Sequence, residues 1–242
     1  MMNKIKNILK NKELNNYDIL KNIAFFTMII DHIGYYFFPY IPLLRAIGRI
    51  SMLIFSVLHG ISCNKQNNNI LLFAIITAIM QIYLENTLLP LNILFNFYLS
   101  YYITNIIEEY YNKHNFYFYI LLLLLLPITI FSGFFFEYGL ILSFLMLCGK
   151  IFKKDKKTKK DIIITIIIFL LHFIYQYLCF NFNIKCTIIT ILLYILFYIF
   201  IYNFKIKKLN FDNKFLVFIS KFSLQLYFIH LLIFIIIHKC LY

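Results

Sequence analysis

The chain has 242 residues, of which 62% are hydrophobic and only 14% are charged, and its 23 lysines and arginines against 10 acids give a formal net charge of +13. Soluble globular domains average about 25% charged residues, so this composition excludes an ordinary soluble domain, and the high apolar content excludes a disordered chain. Apolar runs of about 18 residues or more recur along the whole length, and each can cross the roughly 30 Å of bilayer hydrocarbon. The sequence therefore predicts an all-α, polytopic integral membrane protein.

Nine apolar segments follow one another in chain order as predicted membrane spans. They are residues 19–38, 43–61, 70–89, 92–107, 116–131, 138–152, 162–179, 186–204 and 222–241. We expect residues 1–18 to form a cytoplasmic N-terminal tail. Because no long linker interrupts the remaining pattern, we expect residues 19–242 to form a single transmembrane domain.

The distribution of positive charge predicts the orientation of these spans. With the N-terminus inside, 19 of the 23 lysines and arginines fall on the cytoplasmic side, including every lysine of Lys150–Lys160. Lys185 and Lys239 fall outside, and the other two residues, Arg45 and Arg49, lie within the second span. Cytoplasmic loops carry such an excess, so we expect a cytoplasmic N-terminus and an external C-terminus. Topology and attraction to the lipid bilayer explain the basic charge without a nucleic-acid partner.

Several ionisable side chains lie inside the first two predicted spans. Span one contains Asp31 and His32, and span two contains Arg45 and Arg49. A charged residue at the centre of a span costs about 2.5–3.5 kcal/mol on insertion scales, so such residues need partners or a function. At 1.5 Å per residue, Asp31 and Arg49 lie about 10 Å and 9 Å from the outer ends of their helices. The short connection makes these helices antiparallel neighbours, so we expect Asp31 to reach an arginine of span two.

The charges of these four residues do not balance. The two arginines are four residues apart and share one helix face, but Asp31 can neutralise only one of them. About one positive charge then remains in the outer half of the membrane for an anionic ligand or another acid. Asn92, Glu137 and His230 fall in the same half. The alternative is a purely structural Asp–Arg pair that holds the helical hairpin together.

Two motifs of the first spans resemble the opening of a known family. The first is Met28–Gly34, with the sequence MIIDHIG, and the second is Leu44–Arg49, with LRAIGR. They resemble the paired IDHIG and LRxIGR motifs of the TraX family, bacterial membrane proteins named for the acetylase of conjugative pilin. Weaker matches lie further along the chain, at Leu91–Phe95, Glu137–Gly139 and Leu226–Leu232. The resemblance extends from about residue 19 to the C-terminus.

The resemblance implies a multi-pass acetyltransferase of the bacterial cytoplasmic membrane. Such a protein is expected to transfer an acetyl group from cytoplasmic acetyl-CoA to an amine or hydroxyl of an acceptor on or beyond the membrane, either a pilin-like or other peptide or a glycan. The transfer needs a base for the acceptor's proton and positive or donor groups for the developing oxyanion. Because the donor is cytoplasmic and the polar groups lie in the outer half, it also requires a channel through the helical bundle.

Each polar residue of the predicted site receives a role in this chemistry. His32 is the candidate general base, because an unperturbed imidazole has a pKa of about 6.5. Asp31 is expected to pair with one of the arginines. The remaining candidates would contact the thioester, the oxyanion or the acceptor, or would orient the base: Arg45, Arg49, Asn92, Glu137 and His230. The histidines and acids lack a zinc-ligand spacing, so no metal is expected.

Two other functions remain open. A noncatalytic membrane partner or immunity protein would use the Asp–Arg pair only to fix the hairpin, and a proton-coupled transporter would use the buried acid and histidine groups as a relay. The sequence also leaves open the acceptor, the oligomeric state and the choice of Asp31 or His32 as the base. A disulfide between Cys179 and Cys186 is a further open alternative.

Overall fold

The structure is a computed structural model, which describes residues 14–62, 67–85, 88–180, 182–209 and 213–241. Most of the predicted N-terminal tail, residues 1–13, lies outside these ranges. Within them, the regular elements are α-helices. In chain order the helices are α1 (Asn16–Tyr36), α2 (Pro42–Gly48), α3 (Ile50–Ser62), α4 (Asn68–Glu85), α5 (Ile93–Lys113), α6 (Asn115–Leu123), α7 (Leu125–Ser132), α8 (Ile141–Phe152), α9 (Lys159–Phe180), α10 (Ile184–Tyr202) and α11 (Lys214–Leu241).

Four helical segments of the described chain are long and apolar enough to cross a membrane. They are α2 together with α3, as Pro42–Ser62, and then α9, α10 and α11. The bent pair of α6 and α7 is a fifth candidate if it counts as one span. Polar side chains lower the hydropathy of α1 and α5, which do not qualify. The helices thus support an α-helical membrane protein, but they do not support the nine predicted crossings or the predicted orientation of the termini.

A proline explains why one predicted span is broken. The segment predicted as 116–131 bends by 56° between α6 and α7. Pro127 lies in the first turn of α7. In an unbroken helix its ring would clash with the carbonyl four residues earlier, at Leu123, and it has no N–H to donate to that carbonyl. The apolar pattern therefore continues through a point where the helix cannot.

The chain folds into two compact units. The first unit combines both ends of the chain, Met1–Phe55 and Ile188–Tyr242, and the second is continuous, Ser56–Thr187. The second unit and most of the first lie in residues 19–242, the region that the sequence predicts as one transmembrane domain, and each unit is described by itself below.

In the first unit α1 packs against both α2 and α11. Near its start, the Asn22 amide donates to the carbonyl of Leu216 at 3.1 Å, and Lys21 donates to the carbonyl of Ser220 at 3.2 Å. These bonds attach the first turns of α11 to α1, before α11 bends at Phe222, whose φ of −103° and ψ of 18° are not helical. Apolar side chains of α1 and α11 complete this contact: Phe25, Met28 and Ile219.

In the second unit a ladder of buried polar side chains joins α5 to α8. Asn96, Ser100 and Thr104 follow one another at four-residue spacing on one face of α5. Ser100 donates to the Asn96 side-chain oxygen and the Ser143 hydroxyl of α8 donates to Ser100, both at 3.0 Å. Thr104 donates to the carbonyl of Ser143 at 3.0 Å. Interhelical hydrogen bonds of this kind hold membrane helices together.

Two glycines bring α3 and α8 into backbone contact within the second unit. A Cβ atom on Gly60 would overlap the carbonyl of Met146. A Cβ atom on Gly149 would overlap the carbonyl of Val57 and lie 2.9 Å from the Cα of Gly60. Small residues allow such close approach of membrane helices, so these positions exclude any side chain.

Gly149→Val is expected to separate α3 from α8 and to lower the free energy of unfolding by about 1–3 kcal/mol, the usual cost of overpacking. The measurement is thermal or denaturant unfolding of the purified protein in detergent. Leu196→Val, a change of one methylene at an exposed residue of α10, is the control and should have little effect. A Gly149→Val variant as stable as the wild type would contradict the backbone contact.

Candidate functional site

The carboxylate of Asp31 is the centre of a group of ion pairs in the first unit. Asp31 is buried on α1, Arg45 lies on α2, and Arg49 caps the end of α2. One carboxylate oxygen, Oδ1, lies 3.2 Å from Nη1 of Arg45 and 3.5 Å from Nε of Arg49. Nη1 of Arg45 also donates to the backbone carbonyl of Asp31 at 3.3 Å. The predicted pair is therefore an arginine cluster of three residues, Asp31, Arg45 and Arg49, in which one carboxylate faces two guanidinium groups.

Two glycines of the same motifs bring α1 and α2 close enough for the arginine cluster to form. A Cβ atom on Gly48 would overlap Cα and Cβ of Asp31 and would lie 2.6 Å from its backbone nitrogen. A Cβ atom on Gly34 would lie 2.8 Å from Cβ of Leu44 and 3.4 Å from Cδ of Arg45. The glycines that accompany Asp31 and Arg45 in the two motifs are therefore a packing requirement of the cluster.

The two arginines of the cluster differ in their accessibility. The Cζ atom of Arg45 lies 4.9 Å from the centroid of the Tyr35 ring, and Tyr35 is 56% exposed. Such a cation–π contact contributes about 0.5–1 kcal/mol at an exposed site. The side chain of Arg45 is 16% exposed and that of Arg49 is 10% exposed. Arg45 is thus the more accessible arginine, whereas Arg49 is more deeply packed.

His32, which follows Asp31 on α1, contacts α11. Its Nδ1 lies 2.7 Å from Nε2 of His230, and the two rings are nearly parallel, with centroids 4.9 Å apart. Nδ1 of His230 lies 3.1 Å from the carbonyl oxygen of Leu226, one turn earlier on α11. Three aromatic rings pack edge-on against His230: Phe25, Tyr227 and Phe234. His32 and His230, the histidine pair, are thus joined across a sequence separation of 198 residues.

Asn92 and Glu137 lie in the second unit, where they build the start of α5. Asn92 is the N-cap: its Oδ1 accepts the N–H of Leu94 at 3.1 Å, and its Nδ2 donates to the carbonyl of Ala74 at 2.9 Å. The carboxylate of Glu137 accepts the N–H of Ile93 at 3.0 Å. A side-chain cap and a negative charge both stabilise a helix N-terminus. The contact of either residue with a substrate stays a prediction.

Asn96 is a buried residue that the sequence reasoning missed. Its Nδ2 donates to the carbonyls of Glu137 and Gly139. Tyr138 and Gly139 have left-handed φ angles of 65° and 52°. This turn precedes α8, which therefore begins three residues after the start of the predicted span. The four-residue spacing of asparagine and hydroxyl side chains along α5 is the signal that identifies the polar face.

Asp161 is a second buried residue absent from the predicted site. Its Oδ1 accepts the hydroxyl of Tyr111 at 2.5 Å and Nζ of Lys154 at 2.9 Å. Its Oδ2 accepts the N–H of Thr158 at 2.8 Å, and Nζ of Lys160 lies 4.1 Å from the centroid of the Tyr111 ring. The Thr-x-x-Asp pattern before an apolar run is the capping signal that identifies this residue. Asp161 thus fixes the lysine-rich connection between α8 and α9.

Within the described ranges, no group of three or more His, Cys, Asp or Glu residues is placed to hold a metal ion. Cys179 is exposed, Cys186 is buried, and no disulfide joins them. The bridge that the sequence left open is therefore not formed in this structure.

Comparison with known proteins identifies similar chains. A family model described as TraX protein matches residues 16–238, nearly the whole chain. An uncharacterized protein of Rickettsia prowazekii (strain Madrid E) is 30% identical over 159 residues, and the match covers 63% of this chain and 62% of that protein. The match thus spans less than two thirds of that relative. No solved structure matches the chain.

Asp31→Asn removes the charge that both arginines contact, and we expect it to lower the free energy of unfolding by about 3–5 kcal/mol, the usual cost of breaking a buried ion pair. The measurement is unfolding of the purified protein in detergent. The double variant Asp31→Asn, Arg49→Gln also removes one positive charge and should recover part of the loss. Asp155→Asn, the same change at an exposed acid, is the matched control. Wild-type stability of the single variant would contradict a structural role for the cluster.

Proposed function

The chain belongs to the TraX family, and on that premise we propose that it is an acetyltransferase embedded in the bacterial cytoplasmic membrane. It transfers an acetyl group from cytoplasmic acetyl-CoA to an amine or hydroxyl of a membrane-associated or exported acceptor, a peptide or a glycan. In this proposal the N-terminus faces the cytoplasm and the C-terminus faces outward. The four less apolar or shorter helices α1, α4, α5 and α8 add to the five candidate spans and give nine crossings.

The proposed reaction is a direct transfer between the two substrates. The nitrogen or oxygen of the acceptor attacks the carbonyl carbon of the thioester, and a tetrahedral oxyanion forms. His32 accepts the proton that the acceptor loses, the carbon–sulfur bond breaks, and the proton passes to the departing thiolate. The products are the acetylated acceptor and the free thiol of CoA. A positioned base and a fixed positive charge lower the barrier of such a step.

One observation carries the proposal: two adjacent residues of α1 engage different partners. Asp31 holds the two arginines at 3.2 and 3.5 Å, and His32 meets His230 at 2.7 Å. Adjacent residues on a helix point about 100° apart, so the acid and the base do not compete for one place. Within the first unit, α1 thus presents a histidine base beside fixed positive charge.

The arginines supply the positive charge that the oxyanion requires. We assign contact with the thioester or the oxyanion to Arg45, because it is the more accessible of the two. Arg49, which is more deeply packed, keeps the Asp31 carboxylate in place. We assign Asn92 and Glu137 a structural role, because their polar atoms already bind the start of α5.

His32→Gln is expected to lower the rate of acetyl transfer by about 10²–10⁴-fold, the usual contribution of a general base. The measurement is transfer of labelled acetyl groups from acetyl-CoA, supplied on the cytoplasmic side of membrane vesicles, to membrane and exported products. His114→Gln, the same change at an exposed histidine, is the matched control and should keep the wild-type rate. Full transfer by the His32→Gln variant would contradict the assigned base.

The natural acceptor is found by comparing acetylated membrane and exported products of cells that have or lack this gene. A product that is acetylated only in the presence of the gene supports the enzyme. Identical sets of acetylated products would instead favour a noncatalytic partner or immunity protein. Proton movement into vesicles without any acetyl transfer would favour a transporter.

A further inference from the structure

The hydrogen bonds of the histidine pair have a defined donor and acceptor at each step, because His230 is also bonded to a backbone carbonyl. A carbonyl oxygen can only accept a hydrogen bond, so Nδ1 of His230, 3.1 Å from the oxygen of Leu226, carries a hydrogen and donates it. A neutral imidazole has one N–H, so Nε2 of His230 is then an acceptor. The atom that faces it at 2.7 Å, Nδ1 of His32, therefore carries a hydrogen and donates to His230.

The same reasoning identifies the basic atom of His32. With the ring hydrogen on Nδ1, the lone pair of a neutral His32 lies on Nε2, at the other side of the ring. A histidine whose two nitrogens were equally able to carry the hydrogen would present the basic atom only part of the time. The bonds from Leu226 through His230 to His32 remove that ambiguity.

We propose that His230 is a positioning residue that holds His32 in the tautomer with a basic Nε2, rather than a residue that contacts substrate. The inference rests on the proposed function for its catalytic meaning. When Nε2 of His32 takes the proton of the acceptor, the ring becomes a cation that still donates from Nδ1 to His230. That hydrogen bond is then charge-assisted and stronger, so His230 also stabilises the protonated base.

The surroundings of His230 suit this role. The centroids of the Phe25, Tyr227 and Phe234 rings lie 5.5–6.1 Å from the centroid of the imidazole, and each ring is steeply inclined to it. His230 is only 9% exposed. The packed rings limit rotation of the imidazole and keep Nδ1 on the carbonyl and Nε2 on His32.

Asp31 does not orient His32, although an acid commonly orients a catalytic histidine. Its carboxylate is engaged with Arg45 and Arg49, and its side chain leaves α1 about 100° away from that of His32. His230, a neutral histidine on α11, accepts the hydrogen bond from His32 that an acid would otherwise accept. The first unit thus keeps its negative charge for the arginines.

The direct test reads the tautomer and does not require activity. Protein labelled with nitrogen-15 at histidine is reconstituted in nanodiscs, and the signals of His32 are assigned by their loss in His32→Gln. We expect a protonated Nδ1 and an unprotonated Nε2 in the wild type, and a population with the proton on Nε2 in His230→Leu. A wild-type His32 with its proton on Nε2, or an unchanged spectrum in His230→Leu, would overturn the inference.

The activity test uses the reach of the replacement side chain. The carboxamide of glutamine extends about as far as Nε2 of histidine and offers an acceptor there, whereas that of asparagine extends only about as far as Nδ1. We expect acetyl transfer to fall on the order of 10²-fold in His230→Leu and His230→Asn and to be partly rescued in His230→Gln. Equal loss in all three folded variants would overturn the positioning role. Thermal unfolding of each variant checks that it is folded.

The two tests separate the inference from the proposed function. If the tautomer changes as expected but wild-type vesicles transfer no acetyl group to any product, the proposed function fails while the link between His230 and the His32 tautomer holds. If wild-type vesicles transfer acetyl groups and His230→Leu shifts the tautomer without slowing transfer, the proposed function holds and the positioning role fails.

Discussion

Compensation of a buried negative charge determines how the first unit is built. A carboxylate among apolar helices is unfavourable unless positive groups surround it, and Asp31 has two guanidinium groups within 3.5 Å. These contacts require α1 and α2 to approach until a side chain at Gly48 would overlap the Asp31 backbone. The charge, the glycines and the short connection between the helices are therefore parts of one arrangement, and none of them is explained alone.

The position of α1 between two partners follows from this arrangement. Asp31 connects α1 to α2 through ion pairs, and His32 connects α1 to α11 through a hydrogen bond between two imidazoles. At the other end of α1, Asn22 and Lys21 bond to carbonyls of the first turns of α11. Because α11 is attached to α1 on both sides of its bend, the separation of the two histidine rings is set by helix packing and does not depend on a loop.

Local sequence patterns predicted part of the site, but contacts between residues far apart in the sequence could not be predicted. The pairing of Asp31 followed from matched depths in a tight hairpin, whereas the bond between His32 and His230 joins residues 198 positions apart and has no local signal. The bond from the Asn92 amide to the carbonyl of Ala74 on α4 likewise has no local signal. The helix class was clear from composition, but hydropathy measures the apolar content of a segment and does not report where its backbone bends.

The sequence separation of the histidine pair has a consequence for the assembly of the protein. The second unit is one continuous stretch, Ser56–Thr187, and its contacts are available as soon as that stretch has left the ribosome. The first unit joins the two ends of the chain, so α1 leaves the ribosome long before its partner helix α11 is synthesised. His32 and His230 are 198 positions apart, so the histidine pair cannot form until the chain between them has been synthesised. Translation therefore delays formation of this contact relative to the contacts of the second unit.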